Sequence, residues 1–321
     1  MTGIVLVTGC AGFIGSNLVD ALLTKGFNVL GVDHFDDYYS RAIKERNMAD
    51  ALRCTSFKFV EADVRNEAAL KEIVKEDDVR FVCHLAARAG VRASIKSPSI
   101  YNDINVTGTL SLLKACLDSN VEKLVYASSS SVYGNIESLP TSEDVLPKPI
   151  SPYGASKLAA EAYCLCFERT YGLGTLVLRY FTVYGPRQRP DEAISSFLNA
   201  AMRKEPVTVY GDGNQERDFT YVSDTVDGTI AAMKSNLSGE IFNIGSGRRA
   251  SVNQLLGILE EVCRTKITRV YTGRQEGDVL VTWADIRKAV DKIGFEPRIT
   301  LREGLQRYYK WCIAHQKAME P

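Results

Sequence analysis

A tyrosine and a lysine in the segment Tyr153-Gly-Ala-Ser-Lys157 have the types and spacing of a proton-transfer pair. On a helix, residues four apart place their side chains on one face. A phenol has a pKa of ~10 and is a poor base at neutral pH, but a neighbouring ammonium group favours the phenolate. Tyr153 is therefore a candidate base for the proton of a hydroxyl group. The alternative is an ordinary polar pair on an amphipathic helix.

Four consecutive serines, Ser128 to Ser131, offer hydroxyl groups for the same reaction. They come at the end of Lys123–Ser128, an apolar segment that predicts a buried strand. We therefore expect them at the carboxyl edge of a sheet, where ligands of parallel sheets bind. A hydroxyl there can hold a reacting oxygen and relay its proton to Tyr153. A serine-rich loop without a chemical role is the alternative.

The glycine-rich segment Gly9-Cys-Ala-Gly12-Phe13-Ile14-Gly15 predicts a dinucleotide site. It follows a predicted strand, Ile4 to Thr8, and begins a predicted helix that ends near Lys25. In this setting the first glycine allows a tight turn, the second admits backbone N–H groups close to a pyrophosphate, and the third lets the helix pack against the strand. We expect Gly9, Gly12, Phe13, Ile14 and Gly15 to contact the cofactor, with its phosphates at the helix N-terminus.

Asp33 indicates which dinucleotide binds. It ends a second predicted strand, Asn28–Asp33, 18 residues after Gly15. A carboxylate there accepts hydrogen bonds from a ribose diol and repels a 2′-phosphate, which favours NAD over NADP. The positive nicotinamide ring adds to the effect of Lys157 on the tyrosine. A strand-end cap is the alternative for Asp33.

Two later segments are expected beside the cofactor because they follow predicted strands. Asp63 and Val64 follow the strand Phe57–Glu61 and are placed beside the adenine. Leu85, Ala86 and Ala87 follow the next predicted strand and leave small side chains where the cofactor passes. For both segments, plain packing explains the residues equally well.

Strands alternate with helical patterns through the first half of the chain, including a long helical pattern over Pro98–Asp118. This alternation predicts a parallel sheet covered by helices on both faces. We expect an α/β fold: a Rossmann-like, doubly wound sheet with a smaller C-terminal substrate-binding lobe. The predicted NAD-binding domain covers residues 1–178 with a return near 219–244, and the predicted lobe comprises 179–218 and 245–321.

Composition and charge exclude several classes of function. The 321 residues include 39 basic and 39 acidic side chains, so the net charge of zero excludes a sequence-wide basic surface for nucleic acid or anionic lipid. No apolar run approaches the ~18 residues that cross a bilayer, and we expect no secretory signal. The eight cysteines have no zinc-binding spacing. We therefore expect no metal and no membrane, and a cytoplasmic protein.

Together these residues resemble the extended short-chain dehydrogenase/reductases that act on sugar nucleotides. The glycine triplet, Asp33, Asp63, Ser129 and Tyr153-x-x-x-Lys157 occur in that family's order. Matching segments continue through Arg179–Pro186, Val209–Gly213, Arg217–Asp224 and Phe242–Gly247. The resemblance covers essentially the whole chain, and the combined motifs are highly specific. It implies an NAD-binding enzyme in which Ser129, Tyr153 and Lys157 are catalytic.

The loop after the fifth strand distinguishes the reactions of this family. Its 4,6-dehydratases carry an Asp-Glu pair just before Val-Tyr-Gly, and its UDP-glucuronate decarboxylases carry a glutamate there. This chain has Ser130 and Ser131 before Val132-Tyr-Gly134. Because no carboxylate is present to catalyse elimination, the chain resembles a 4-epimerase. Asp33–Tyr39 and Phe181–Asp191 are similar to UDP-glucuronate 4-epimerases in particular.

The resemblance also implies contacts with a UDP-sugar substrate. Ser129 and Ser130 are expected at the sugar, Thr182 and Arg189 at its carboxylate, Arg217 at the pyrophosphate and Asp278 at the uridine ribose. A backbone-bonded hydroxyl is the alternative for Thr182, and an ion pair with Asp218 or Asp224 is the alternative for Arg217. Two positions depart from the family. Gln275 stands where an arginine is common, which leaves open whether Arg274, one residue earlier, contacts the phosphates in its place. Glu192 stands where relatives often have an apolar residue, which leaves the identity of the sugar open.

The resemblance implies 4-epimerisation of a UDP-sugar, UDP-glucuronate to UDP-galacturonate, through a transient 4-keto intermediate. A UDP-glucose/UDP-galactose or UDP-N-acetylhexosamine 4-epimerase is the alternative among enzymes. A non-catalytic NAD-binding scaffold is the alternative of another class. The resemblance further implies a homodimer, in which helices near Pro98–Asp118 and Tyr153–Tyr171 form a four-helix bundle.

Overall fold

The computed structural model describes residues 3–274 and 277–315, and seven of the described strands form one parallel sheet. The order of these strands is β11-β6-β5-β4-β1-β2-β3. They are β1 (Ile4–Thr8), β2 (Asn28–Asp33), β3 (Phe57–Glu61), β4 (Val79–His84), β5 (Lys123–Ser129), β6 (Thr175–Tyr180) and β11 (Glu240–Ile244). The order reverses between β1 and β4, which is where an open α/β sheet forms its ligand crevice.

Helices cover both faces of this sheet, so the predicted Rossmann-like α/β fold is confirmed. They are α1 (Phe13–Thr24), α2 (Arg41–Met48), α3 (Glu67–Glu76), α4 (Val91–Lys96), α5 (Pro98–Tyr101), α6 (Gly108–Leu117), α7 (Pro152–Tyr171), α8 (Ala193–Arg203), α9 (Val222–Lys234), α10 (Val252–Cys263), α11 (Arg287–Ile293) and α12 (Leu301–Ala314). Within the described ranges, no helix has both the length and the apolar character needed to span a membrane.

Alternation along the strands divides the core between the two faces. Successive side chains of a strand point to opposite faces of the sheet. In β1, Leu6 packs in one cluster with Leu112 of α6 and Ala160 of α7. Val5 and Val7 pack in the other cluster, which contains Leu18 of α1. Both faces of the central strands are therefore apolar, as expected for a doubly wound sheet.

The predicted helix over Pro98–Asp118 is not continuous. A π-helical segment, Asn102–Thr107, separates α5 from α6. The side chain of Asn105 accepts a hydrogen bond from the backbone N–H of Arg88 (2.8 Å) and donates to its carbonyl (3.0 Å) and to Ser156 Oγ (2.9 Å). These contacts hold the widened turn against the loop after β4 and against α7, and tertiary contacts of this kind leave no periodic signal in the sequence.

The second half adds short strand pairs at the carboxyl side of the sheet. The pairs are β7 (Thr182–Tyr184) with β10 (Phe219–Tyr221), β8 (Val207–Tyr210) with β13 (Arg269–Thr272), and β9 (Glu216–Arg217) with β12 (Ala250–Ser251). Within the predicted return near 219–244, β11 lies beside β6 in the central sheet. The exact domain boundaries stay a prediction.

The turn between β1 and α1 requires glycine at two positions. Gly9 has a φ of 72°, and its N–H donates to Val32 O at 2.8 Å. A Cβ atom on Gly15 would lie 2.0 Å from the carbonyl oxygen of Gly9. Gly15 therefore lets the helix approach the turn more closely than any side chain permits.

Replacing Gly15 with alanine is expected to lower the free energy of unfolding by about 3 kcal/mol, because the helix must move away from the turn. The matched control is Gly257→Ala in α10, where an added Cβ meets nothing within 4 Å. The control is expected to gain up to ~1 kcal/mol from helix propensity. Urea denaturation of both variants measures the difference, and a Gly15→Ala protein as stable as the parent would contradict this explanation.

Candidate active site

A cleft of about 280 Å³ opens at the carboxyl ends of the central strands. It brings together most residues that the sequence predicted for a cofactor and for catalysis. The predicted residues that line it are Gly9, Gly12, Phe13, Ile14, Gly15, Asp33, Val64, Leu85, Ala86, Ala87, Ser129, Tyr153, Lys157 and Arg189. These residues come from distant parts of the chain, and the topology of the sheet gathers them at one edge.

One part of the cleft has the features of a dinucleotide site. The N-cap of α1 is Gly12, and no side chain in the described part of the chain caps this helix. Its first N–H groups are therefore free for an anionic ligand. Asp33 accepts hydrogen bonds from the N–H groups of Ala11 (3.1 Å) and Phe35 (2.9 Å), which fix its carboxylate beside the glycine turn. The residues present fit a dinucleotide that carries an unphosphorylated ribose.

Helix α7 begins where it does because Ser151 and Pro152 start it. Ser151 Oγ accepts a hydrogen bond from the N–H of Gly154 at 3.1 Å, and proline suits the first helical position. This start places Tyr153 in the first turn of the helix, with Lys157 one turn further along the same face. Both side chains reach the cleft, as the spacing predicted.

Lys157 is held by the sheet. Its side chain is buried, and Nζ donates a 2.7 Å hydrogen bond to the carbonyl of Ala127, near the end of β5. Burial lowers the pKa of Lys157 to about 7, and the carboxylate of Glu161 opposes this shift. The lysine is therefore rigidly positioned, and its charge depends on the groups around it.

The pKa of Tyr153 is raised in the protein alone, chiefly by burial of its hydroxyl. The hydroxyl of Ser129 and the charge of Arg189 act in the opposite direction, and Glu192 adds to the increase. The ring also makes an edge contact with Tyr101, with centroids 6.2 Å apart. From the sequence we expected Lys157 and a positive nicotinamide ring to lower the pKa of Tyr153. Because this pKa is raised in the protein alone, the lowering requires a bound cation such as that ring.

A buried polar network that the sequence analysis missed lies behind these residues. Glu161 of α7 accepts a hydrogen bond from Ser128 Oγ and forms an ion pair with Arg179 of β6 at 2.8 Å. Both charged side chains are at most 3% exposed. The Arg179 guanidinium lies 4.7 Å from the ring centre of Tyr133, whose hydroxyl donates to Asn243 of β11. The position of Glu161, four residues after Lys157, was the available signal.

Two arginines face the other part of the cleft. Arg189 lies 3.0 Å from Asp191 and 3.3 Å from Glu192, and Arg88 lies 2.7 Å from Asp36. The ring of Tyr38 lies between the two guanidinium groups, at 5.1 Å from Arg189 and 4.8 Å from Arg88. The cleft is also lined by residues that were not predicted for the site. Four of them belong to the segment Asp33–Tyr39, which the resemblance included, and the fifth lies in α2; they are His34, Asp36, Tyr38, Tyr39 and Lys44.

Several predicted site residues lie outside the lining of the cleft. Arg217 forms an ion pair with Asp278 at 2.6 Å, so neither Asp218 nor Asp224 is its partner. Thr182 lies in β7, where its N–H donates to Asp218 O at 3.0 Å. The structure thus joins the two residues predicted for pyrophosphate and ribose, and their roles stay predictions.

Three further predictions fall at the margins of the site. The carboxylate of Asp63 accepts hydrogen bonds from Arg65 Nε on both of its oxygens, each at 3.0 Å. Ser130 begins a short 3₁₀ turn after Ser129, whose Oγ accepts from the N–H of Ser131 at 3.1 Å. Arg274 is exposed beside Gly211, and Gln275 lies outside the described residues.

The sequence is similar to a known protein family and to individual relatives. Residues 5–245 match the model of the NAD dependent epimerase/dehydratase family. The UDP-glucuronate 4-epimerase of Thermodesulfobacterium geofontis is 45% identical over 311 residues, which are 96% of each chain.

Solved structures are similar over the whole fold. The UDP-glucuronic acid 4-epimerase of Bacillus cereus, in complex with UDP-glucuronic acid and NAD, has a TM-score of 0.92 and 37% identity, covering 97% of this chain and 99% of its own. The UDP-glucose 4-epimerase of Thermotoga maritima, with UDP-glucose, has a TM-score of 0.90 and 36% identity, covering 99% and 100%.

The buried pair predicts a large effect of charge removal. Glu161→Gln is expected to lower the free energy of unfolding by about 3 kcal/mol, because Arg179 keeps a buried charge without a counter-ion. The matched control, Glu296→Gln, removes a carboxylate whose ion pair with Arg298 is exposed, and is expected to change stability by less than ~0.5 kcal/mol. Urea denaturation tests both. Equal effects of the two substitutions would show that the buried pair does not fix α7 to the sheet.

Proposed function

Because the chain belongs to the NAD-dependent epimerase/dehydratase family, we propose that it is a UDP-sugar 4-epimerase that interconverts UDP-glucuronate and UDP-galacturonate. The observation that carries the proposal is the cleft itself. It combines Ser129, Tyr153 and Lys157 with Arg189, a cation suited to a sugar carboxylate. The enzyme is thus an NAD-dependent isomerase, since the sugar alcohol is oxidised and reduced within one cycle.

The cofactor site is assigned to the glycine turn, the N-terminus of α1 and Asp33. When bound, NAD⁺ supplies the acceptor for the hydride at C4 and gives that hydride back. Asp33 would hold the ribose hydroxyls, and the free N–H groups after Gly12 would hold the phosphates. Lys157, fixed by the carbonyl of Ala127, would contribute positive charge to the cleft that also holds Tyr153.

Tyr153 acts as the base and then as the acid. It removes the proton of the sugar 4-hydroxyl while Ser129 holds the same oxygen. The 4-keto sugar then turns about its bonds to the pyrophosphate and presents its other face. Tyr153 returns the proton to an oxygen whose carbon has the inverted configuration. No net NADH accumulates, because each cycle ends with the cofactor in its starting state.

The serine loop supports epimerisation over elimination. Among the described residues that line the cleft, none comes from the segment 130–151, so no carboxylate of that loop reaches the sugar. Removal of water across C5 and C6 requires an acid and a base at those carbons. A uronate brings a further requirement, since its 4-keto form is a β-keto acid that loses CO₂ readily. We assign Arg189, which lines the cleft, to holding the carboxylate. The roles of Thr182 and Ser130 at that carboxylate rest on the family resemblance alone, since neither residue lines the cleft.

The proposal extends to the division of the chain into domains and to its assembly. Residues 1–178 and 219–244 form the cofactor domain, and 179–218 and 245–321 form the substrate lobe; the pairing of β11 with β6 supports this division. A homodimer through helices near Pro98–Asp118 and Tyr153–Tyr171 is proposed on the family resemblance alone. Light scattering that gives the mass of a single chain would contradict the dimer.

The reaction is tested by product identification. Incubation of the NAD-loaded enzyme with UDP-glucuronate is expected to give UDP-galacturonate without net NADH. Tyr153→Phe is expected to lower kcat by about 1000-fold, because the proton acceptor is lost. Its matched control is Tyr163→Phe, which removes a hydroxyl from an exposed position of the same helix and leaves kcat unchanged. A UDP-pentose as the main product would contradict epimerisation, and an active Tyr153→Phe protein would remove the proposed base.

The substrate class is tested through Arg189. Arg189→Ala is expected to lower kcat/KM for UDP-glucuronate by about 100-fold, because a charge-assisted contact to the sugar carboxylate is lost. Turnover of UDP-glucose, which has no carboxylate, is expected to change by less than about fivefold. Comparable losses for the two sugars would favour the alternative of a neutral-hexose or N-acetylhexosamine 4-epimerase.

A further inference from the structure

Glu192 places a carboxylate inside the cleft, beside the arginine assigned to the sugar. Its Oε1 lies 3.3 Å from Arg189 Nη2, and its Oε2 accepts a 2.7 Å hydrogen bond from Gln188 Nε2. The side chain is only 30% exposed and lines the cleft together with Tyr153. The protein therefore supplies its own carboxylate to the cation that the proposed substrate also needs.

Glu192 stands at the start of α8, but its side chain does not cap that helix. Glu192 is the N-cap residue of α8, with φ −83° and ψ 146°. Aspartate at this place commonly caps the free N–H groups of a helix, whereas glutamate is not among the preferred N-cap residues. No side chain in the described part of the chain caps α8. The carboxylate thus pairs with Arg189 and Gln188 instead of capping its own helix.

Gln188 fixes the second oxygen of this carboxylate. Its side chain is buried, and Nε2 also donates to the carbonyl of Val183 at 3.3 Å. The amide is therefore held by the strand that precedes the loop. One carboxylate oxygen of Glu192 therefore accepts from the neutral amide of Gln188, and the other pairs with Arg189. When Arg189 leaves this pair, the amide remains, and it can also accommodate a neutral carboxyl group.

We propose that Glu192 determines specificity by competing with the sugar carboxylate for Arg189, so that binding of a uronate is coupled to uptake of a proton by Glu192. The inference rests on the proposed function, because it requires an acidic sugar. In the free cleft Glu192 is ionised and paired with Arg189. When the uronate takes the guanidinium, one proton from solvent binds to the Glu192 carboxylate. A neutral sugar brings no second carboxylate and takes up no proton.

The surroundings of Glu192 favour this exchange over accommodation of two anions. The titratable and charged groups that face it are Arg189, Asp191, Tyr39, Tyr153 and Tyr308. Only the arginine among these groups carries positive charge, and Asp191 adds a further negative charge. Burial already raises the pKa of Glu192, against the effect of Arg189. A second carboxylate at the same guanidinium raises that pKa further, as for any two acids that share one site.

The direction of the pH effect follows from linkage. The complex with a uronate holds one proton more than the free protein, so affinity falls as pH rises. The dissociation constant for UDP-glucuronate is expected to increase about tenfold between pH 6 and pH 8. UDP-glucose, used as the neutral comparison, is expected to bind with the same affinity at both pH values.

Calorimetric titration of the NAD-loaded protein measures the effect without turnover if all proteins carry Tyr153→Phe. Titrations in buffers of different ionisation enthalpy give the number of protons taken up. UDP-glucuronate is expected to bring about 0.5 or more protons at pH 7. With Glu192→Gln the uptake is expected to disappear, the pH dependence to flatten to within about twofold, and the affinity at pH 8 to approach its value at pH 6.

Asp191→Asn is the matched control. Asp191 also pairs with Arg189, but its side chain is 48% exposed and does not line the cleft. This variant is expected to keep the pH dependence and the proton uptake of the parent. If Glu192→Gln keeps them as well, the inference is wrong while the proposed function stands. If UDP-glucuronate does not bind at any pH, the proposed function fails and the inference fails with it.

Discussion

The buried ion pair between Glu161 and Arg179 holds the proposed catalytic helix on the sheet. Taking two charges out of water costs several kcal/mol for each ion, so such a pair persists only where close contact and further hydrogen bonds offset that loss. Here Ser128 adds a donor to the carboxylate, and Tyr133 stacks on the guanidinium. The pair joins α7 to β5 and β6 at the level of the cleft. The placement of Tyr153 and Lys157 in α7 therefore depends on this ion pair.

The same burial makes the protein alone a poor environment for the charges of the reaction. It lowers the pKa of Lys157 to about 7 and raises the pKa of Tyr153, so both groups are driven toward their neutral forms. Glu161, one turn after the lysine, opposes the loss of the ammonium charge. A positive ligand beside the phenol favours the phenolate in the same way. In the proposed mechanism the site gains its base only when cofactor and sugar are bound, which limits proton transfer in the empty cleft.

Sequence was informative where local geometry decides the outcome. The glycine turn needs Gly9 in a left-handed conformation and Gly15 against a backbone oxygen, and both demands leave a signature of residue type. Buried strands and the Tyr153–Lys157 spacing are local in the same sense. Partners that are distant in sequence were not predictable. The π-helical turn depends on Asn105 meeting the loop after β4, and Arg217 pairs with Asp278 across 61 positions of the chain. Such partners can be identified only once the tertiary fold is known, because the fold alone brings them into contact.

Charge in the cleft is balanced locally as well as over the whole chain. Arg88 is paired with Asp36, and Arg189 with Asp191 and Glu192, so the arginines that face the cleft already have carboxylate partners. An anionic ligand that binds either guanidinium therefore competes with an internal carboxylate, and its net gain is the difference between two similar contacts. Selectivity under this constraint comes from what happens to the displaced group. A carboxylate released into water loses little, whereas one that stays half-buried must be neutralised. Asp191 is in the first situation and Glu192 in the second, which is why two acids on one arginine are not equivalent.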